Sequence, residues 1–63
     1  MYSVYERLRN DRSVKDADVS KATGIPQATL SEWKRGDYTP KVDKIMLIAQ
    51  YFGVPLETFL KAR

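Results

Sequence analysis

The 63-residue chain contains no cysteine and no histidine. Without cysteine there is no disulfide staple and no thiolate metal site. Without histidine the commonest general base and the usual zinc ligand are missing. No apolar run approaches the roughly 20 residues that a membrane-spanning helix needs, and no signal-peptide pattern opens the chain, so a cytoplasmic protein is the default expectation. The sequence also lacks a nucleophile–base pair, a phosphate-cradling glycine loop and a metal-ligand cluster. Carboxylates are its only strong acid–base groups, which leaves the enzyme class poorly supported. No catalytic residue, metal, cofactor or small-molecule ligand is implied.

A chain this short buries only about 60% of the surface its unfolded form exposes, so its core is thin and must come from packed helices, with dimerisation as a further aid. Eleven Lys and Arg stand against eight Asp and Glu, a net charge of +3 with a pI near 9.4. That balance suits a polyanionic partner, yet it is equally ordinary for solvated surface charge.

Glycine and proline are few, three of each, and regularly spaced. Gly24-Ile25-Pro26, Gly36 to Pro40 and Gly53-Val54-Pro55 each place a glycine first and a proline soon after. Glycine accepts the left-handed conformation that ends a helix, and proline favours the first turn of the next. The residues before the prolines, Thr39 among them, are pushed towards extended geometry. No strand signal competes, so the expected fold is all-α, a single domain over 1–63.

Five helices follow. The first runs from Tyr2 to about Asn10, with Tyr5 and Leu8 inward and Val4 and Tyr2 near the same face. The second runs from Lys15 or Asp16 to Thr23. Asp16 and Asp18 suit its positive end, although Ser13 with Asp16 also reads as a capping pair. The third spans Gln27 to Arg35, with Leu30 and Trp33 as its inward pair. The fourth spans Lys41 to Phe52 and buries Val42, Ile45, Ile48, Ala49 and Phe52, with Met46 at the core margin. The fifth runs from Leu56 to about Ala62 and offers Leu56, Phe59 and Leu60.

The stretch from Asp16 to Gly36 carries the functional signal. Two helices that cross steeply through a three- or four-residue turn need specific residues. Val19 faces the next helix, Ser20 is small where backbones approach, Gly24 turns the chain and Ile25 plugs the corner. Leu30 and Trp33 then anchor the second of the two helices, which leaves Gln27, Ala28, Ser31, Glu32 and Arg35 to share its outward face.

Thr23-Gly24-Ile25-Pro26-Gln27-Ala28-Thr29-Leu30-Ser31 followed by Trp33-Lys34-Arg35-Gly36 resembles the turn and recognition helix of the Cro and phage-repressor-like helix-turn-helix family, often called the XRE family. Pro40-Lys41-Val42, Ile45, Ile48-Ala49, Tyr51-Phe52-Gly53-Val54, Leu56 and Phe59-Leu60 are similar to that family's fourth and fifth helices. The resemblance covers nearly the whole chain and is weakest in the first helix. It implies a five-helix, lambda-repressor-like fold with the helix-turn-helix at about 16–35 and the third helix in the major groove of double-stranded DNA. A sequence-specific transcriptional regulator, a repressor, is the function it implies. The alternatives are a protein-interaction module, such as an antitoxin, and a DNA-binding fragment of a larger regulator. RNA fits less well, because the major groove of duplex RNA is too narrow for a helix.

On this reading Gln27 pairs with adenine through N6 and N7, Ala28 lies against a thymine methyl, Glu32 accepts from cytosine N4, and Ser31 and Arg35 reach a base edge or the backbone. Glu32 is equally well read as plain surface charge. Phosphate contacts fall to Lys15, Thr29, Lys34, Arg35, Tyr38, Lys41 and Lys44, which set register and salt dependence. Two departures from the family stand out. Asp16 occupies a position that often holds a phosphate-contacting glutamine, where a carboxylate would repel a phosphate. The family's pairing of a first-helix arginine with a third-helix glutamate is also lost, because Arg9 would face Lys34. That leaves both side chains to solvent or phosphate.

The remaining charges have plainer readings. Asp16 and Asp18, two residues apart on different faces, fit helix-dipole compensation better than metal binding. Asp37 and Asp43 read as turn and cap groups, and Lys21, Lys61 and Arg63 as solvated charge. Trp33 phases with Leu30 as core rather than as an exposed stacking ring. Leu47 and Tyr51, at i, i+4 on the fourth helix where a polar residue would serve solubility, suggest a covered surface such as a homodimer seam.

Overall fold

The computed structural model of the chain describes residues 1–60. It contains five helices and, among the described residues, no strand: α1 (Tyr2–Arg12), α2 (Asp16–Thr23), α3 (Gln27–Arg35), α4 (Val42–Phe52) and α5 (Glu57–Leu60). The expected extension of the fifth helix to Ala62, together with Lys61 and Arg63, lies outside the described residues. No helix is long and apolar enough to cross a membrane.

The glycine–proline punctuation sets the boundaries of the central helices. Gly24, Gly36 and Gly53 are the C-caps of α2, α3 and α4. At Gly24, φ of 80° and ψ of 3° place the backbone where a side chain is disfavoured, and its N–H donates to the Ser20 carbonyl at 2.8 Å. Pro26 is the N-cap of α3, one residue before the first helical turn. Only Gly24, Ile25 and Pro26 separate α2 from α3. Thr23 secures this turn from within, an arrangement that no pattern in the sequence signals. Its hydroxyl donates to the Val19 carbonyl at 2.7 Å and accepts from the Ile25 N–H at 3.3 Å.

The first helix departs from expectation because its stop carries no glycine. It continues two residues past Asn10 and ends at Ser13, which adopts the left-handed region at φ 55°. The Ser13 and Val14 N–H groups donate to the Asn10 and Arg9 carbonyls, closing the helix end. Ser13 therefore terminates α1 and does not cap α2. The α2 cap is made instead by Asp18, whose carboxylate accepts the Lys15 N–H at 3.0 Å. That contact satisfies an orphan donor and places negative charge at the positive end of the helix.

The core consists of Val4 and Tyr5 from α1, Val19 from α2, Ile25 from the turn, Leu30 and Trp33 from α3, Ile45, Ile48, Ala49 and Phe52 from α4, and Phe59 from α5. Tyr2, Leu8, Val14, Val54 and Leu56 pack against it half-buried. An aromatic cluster ties α1 to α3 and α4. The Tyr5 ring stacks on Trp33 at 5.3 Å, Tyr2 meets the same indole edge-on at 5.3 Å, and Phe52 lies 6.1 Å from Tyr5. Such pairs add about 0.5–1.5 kcal/mol each beyond burial, a sizeable share for so small a core. Arg12 reinforces the junction: its guanidinium lies over the Phe52 ring and donates to the Phe52 carbonyl oxygen.

Three apolar residues expected in or beside the core are exposed. Val42 and Leu60 are each 53% exposed, and Met46 also faces out. Lys41 is the N-cap of α4, so Val42 is the first helical residue and overhangs the end of the stripe formed by Ile45, Ile48, Ala49 and Phe52. Pro40, immediately before the cap, is buried in its stead. On α5, Phe59 is fully enclosed and Leu60, the next residue, turns away by about 100°.

Candidate nucleic-acid interface

The phase of α3 decides what the domain can present. At about 100° per residue, Leu30 and Trp33 define one side of the helix, and Gln27, Ala28, Ser31, Glu32 and Arg35 fall in an arc centred opposite them. The burial agrees: Leu30 is fully enclosed and Trp33 is 4% exposed, while all five outward residues are exposed. Thr29 is half-buried on one flank of the arc and Lys34 is exposed on the other. From Gln27 to Arg35 the outward strip is about 12 Å long at 1.5 Å per residue, close to the roughly 12 Å width of the DNA major groove.

The strip is polar but not uniformly basic. Gln27 supplies paired donor and acceptor groups at the helix start, Ala28 a methyl surface, Ser31 a hydroxyl and Glu32 a carboxylate. Arg35 is partly engaged: its Nε lies 3.1 Å from Asp37 Oδ2 in an exposed pair. An ion pair so open to solvent is weak, so Arg35 can still exchange Asp37 for another anion. Asp37 is thus a partner of Arg35 rather than a free turn group.

The cations expected at the rim are exposed: Lys15, Lys34, Arg35, Lys41 and Lys44. Tyr38, in the loop after α3, is half-buried. Lys15 and Lys41 occupy the N-caps of α2 and α4, and Lys44 lies in the first turn of α4. A cation at the positive end of a helix dipole is mildly unfavourable for folding, whereas an anion docked there is favoured. Lysines in these positions reinforce the positive potential that a phosphate would meet. Asp18 and Asp43, in the first turns of the same helices, offset part of the cost to the fold.

Asp16 and Arg9 depart most from what the sequence suggested. Arg9 is not left without a protein partner. Its Nε lies 3.3 Å from Asp16 Oδ1, an oxygen that also accepts the Tyr5 hydroxyl at 2.7 Å. Arg9, expected to go without an ion-pair partner, has the carboxylate at the head of α2 beside it. Burial, the hydrogen bond to Asp16 and that residue's negative charge together push the Tyr5 phenol far above its ordinary range. Burial alone would lower the Arg9 value, and the attraction of Asp16, with smaller contributions from Tyr2 and Tyr5, raises it instead. The i, i+4 spacing of Tyr5 and Arg9 on one helix was legible in the sequence; that their common target lay across a turn was not. Lys34 has no ion-pair partner among the described residues.

The fourth helix presents a different surface. Leu47 and Tyr51 are 40% and 36% exposed, and the Tyr51 ring packs edge-on against Phe52 at 5.0 Å. Val42 and Met46 form a second exposed i, i+4 pair on the other flank of the buried stripe.

Comparison with known proteins bears on this geometry. A family model described as helix-turn-helix matches residues 6–59. The cryptic phage CTXphi transcriptional repressor RstR of Vibrio cholerae is 26% identical over 49 residues, covering 78% of this chain and 44% of that protein. The chain thus spans less than half the length of this relative. No solved structure matches significantly.

Proposed function

Because the chain belongs to the helix-turn-helix family, we propose that it binds double-stranded DNA at particular sequences as a transcriptional regulator, with repression as its action. The observation that carries this reading is the phase of α3. Leu30 and Trp33 are locked into the core, and a groove-length strip of hydrogen-bonding side chains is left outward. Gln27 reads adenine, Ala28 lies against a thymine methyl, Glu32 accepts from cytosine, and Ser31 contributes to the same surface. Lys15, Thr29, Lys34, Arg35, Tyr38, Lys41 and Lys44 hold the phosphates on either side. Repression is supported by the similarity to a phage transcriptional repressor. A regulator of this kind acts by binding DNA in the cytoplasm rather than by catalysis, which is the role the family membership supports.

One recognition helix reads only a few base pairs, so useful specificity calls for two half-sites about one helical turn apart. We assign the second half-site to a second copy of the chain, joined through Leu47 and Tyr51, whose exposed apolar surface favours a protein contact. Selection of bound duplexes from a random pool, followed by footprinting, tests the proposal. A two-fold symmetric protected site with half-sites about 34 Å apart is the expected result. Retention of every duplex equally, with no motif enriched, would contradict it.

A further inference from the structure

Asp16 stands where a carboxylate ought to hinder DNA binding, at the first residue of α2. Its contacts turn it towards the protein. Its Oδ1 accepts the Tyr5 hydroxyl at 2.7 Å and lies 3.3 Å from the Arg9 Nε, with the Arg9 and Asp16 side chains only 18% and 30% exposed. The Arg9 guanidinium is in turn laid over the Tyr5 ring, 5.5 Å from its centroid. Both partners come from α1, four residues apart, so the helix closes on the carboxylate from the protein side. Enclosed in this way, Arg9 is poorly placed to reach a phosphate itself.

We propose that Arg9, with Tyr5, is a positioning residue for DNA binding: it holds the Asp16 carboxylate turned into the protein, so that the leading edge of the helix-turn-helix meets the phosphate backbone without an outward negative charge. The inference rests on the docking proposed above, with α3 in the groove and α2 beside the backbone. Released from its partners, a carboxylate on the first turn of α2 would swing into solvent. A unit charge brought to about 7 Å from a phosphate in water alters affinity about threefold at low salt, and less as salt rises. Inward, the same carboxylate still compensates the dipole of α2.

A set of variants measured for duplex affinity, under conditions where circular dichroism shows each to be folded, tests this. Arg7 is an exposed cation on the same helix and controls for net charge. Arg9→Met should weaken binding to every duplex about threefold more than Arg7→Met. Asp16→Asn should recover that loss in the Arg9→Met background and give a smaller gain in the Arg7→Met background, because only the former frees the carboxylate to move. Tyr5→Phe leaves the net charge unchanged and covers the case in which Arg9→Met does not fold. It should weaken binding in the same direction, and adding Asp16→Asn should restore it. Equal losses from Arg7→Met and Arg9→Met, or the same Asp16→Asn gain in every background, would overturn the proposal, since a simple sum of charges or a packing defect gives those results. If the unaltered chain bound no duplex, the docking reading would fail first; if it binds and the gains are additive, only this inference fails.

Discussion

The third and fourth helices are nine and eleven residues long, and each buries one face in the same core, yet their outward faces carry opposite chemistry. Opposite Leu30 and Trp33, α3 shows an amide, a methyl, a hydroxyl, a carboxylate and a guanidinium, and none of its large apolar side chains is exposed. Flanking the stripe of Ile45, Ile48, Ala49 and Phe52, α4 exposes Val42, Met46, Leu47 and Tyr51. The core does not require this difference, because either helix would stay anchored with a plain polar back. The proposed function accounts for it: a face rich in paired donors and acceptors suits base edges, and apolar side chains left in water suit another protein surface.

The largest effect is expected in the core behind α3. Trp33→Ala removes an indole on which Tyr2 and Tyr5 both pack. Large-to-small substitutions of this kind cost about 3–5 kcal/mol, most of what a domain this size has to lose. Thermal denaturation followed by circular dichroism should show a chain largely unfolded at 25 °C, with DNA binding lost as a consequence.

A smaller effect separates the α1–α2 junction from both helices. The Tyr5 phenol is raised in the folded state from an ordinary value of 10.0. Below pH 10 the folded and unfolded chains both keep the proton, and the full stability is present. Above it the unfolded chain releases the proton first, so stability falls by up to about 1.4 kcal/mol per pH unit. Denaturant midpoints for the unaltered chain should decline more steeply above pH 10 than those of Tyr5→Phe. Parallel curves would show that the phenol titrates as it does in the unfolded chain.

The smallest expected change in stability comes from the outward face of α4. Leu47→Ser with Tyr51→Ser should shift monomer stability by about 0.5 kcal/mol per site, as surface substitutions do. The same pair should abolish dimerisation in sedimentation equilibrium and the cooperative filling of two half-sites. If the dimer persists, the contact lies on another surface, and Val42 with Met46 is the next to examine.

The helix-turn-helix was legible in the sequence because each of its requirements is local. Glycine ends α2 and α3, proline precedes α3, and Leu30 and Trp33 share a phase three residues apart. Those signals set the end of α2 and both bounds of α3, while the start of α2, left between Lys15 and Asp16 by the sequence, falls at Asp16. The stop of α1 was not legible, because Ser13 adopts a conformation that sequence reserves for glycine or asparagine. Val42 belongs by period to the buried stripe of α4 but sits where the core runs out, and periodicity carries no information about where a neighbour ends; on α5 the sequence does not say that Phe59 alone, and not the next residue Leu60, faces the core. The partnership of Tyr5 and Arg9 with Asp16 was hidden for a related reason. The resemblance implies that Lys34 stands where a glutamate would face Arg9, and only the packing of α1 against the head of α2 shows which carboxylate Arg9 meets instead.

The claim on which the functional reading depends is that α3 turns Gln27 towards base edges. The most direct measurement compares Gln27→Ala with Lys41→Ala on a selected duplex and on a scrambled one, over a range of salt. Gln27→Ala should weaken the selected duplex by about 1–3 kcal/mol and leave the scrambled one unchanged. Lys41→Ala should weaken both equally and flatten the salt slope by about one unit. Equal losses on both duplexes for Gln27→Ala would contradict the account.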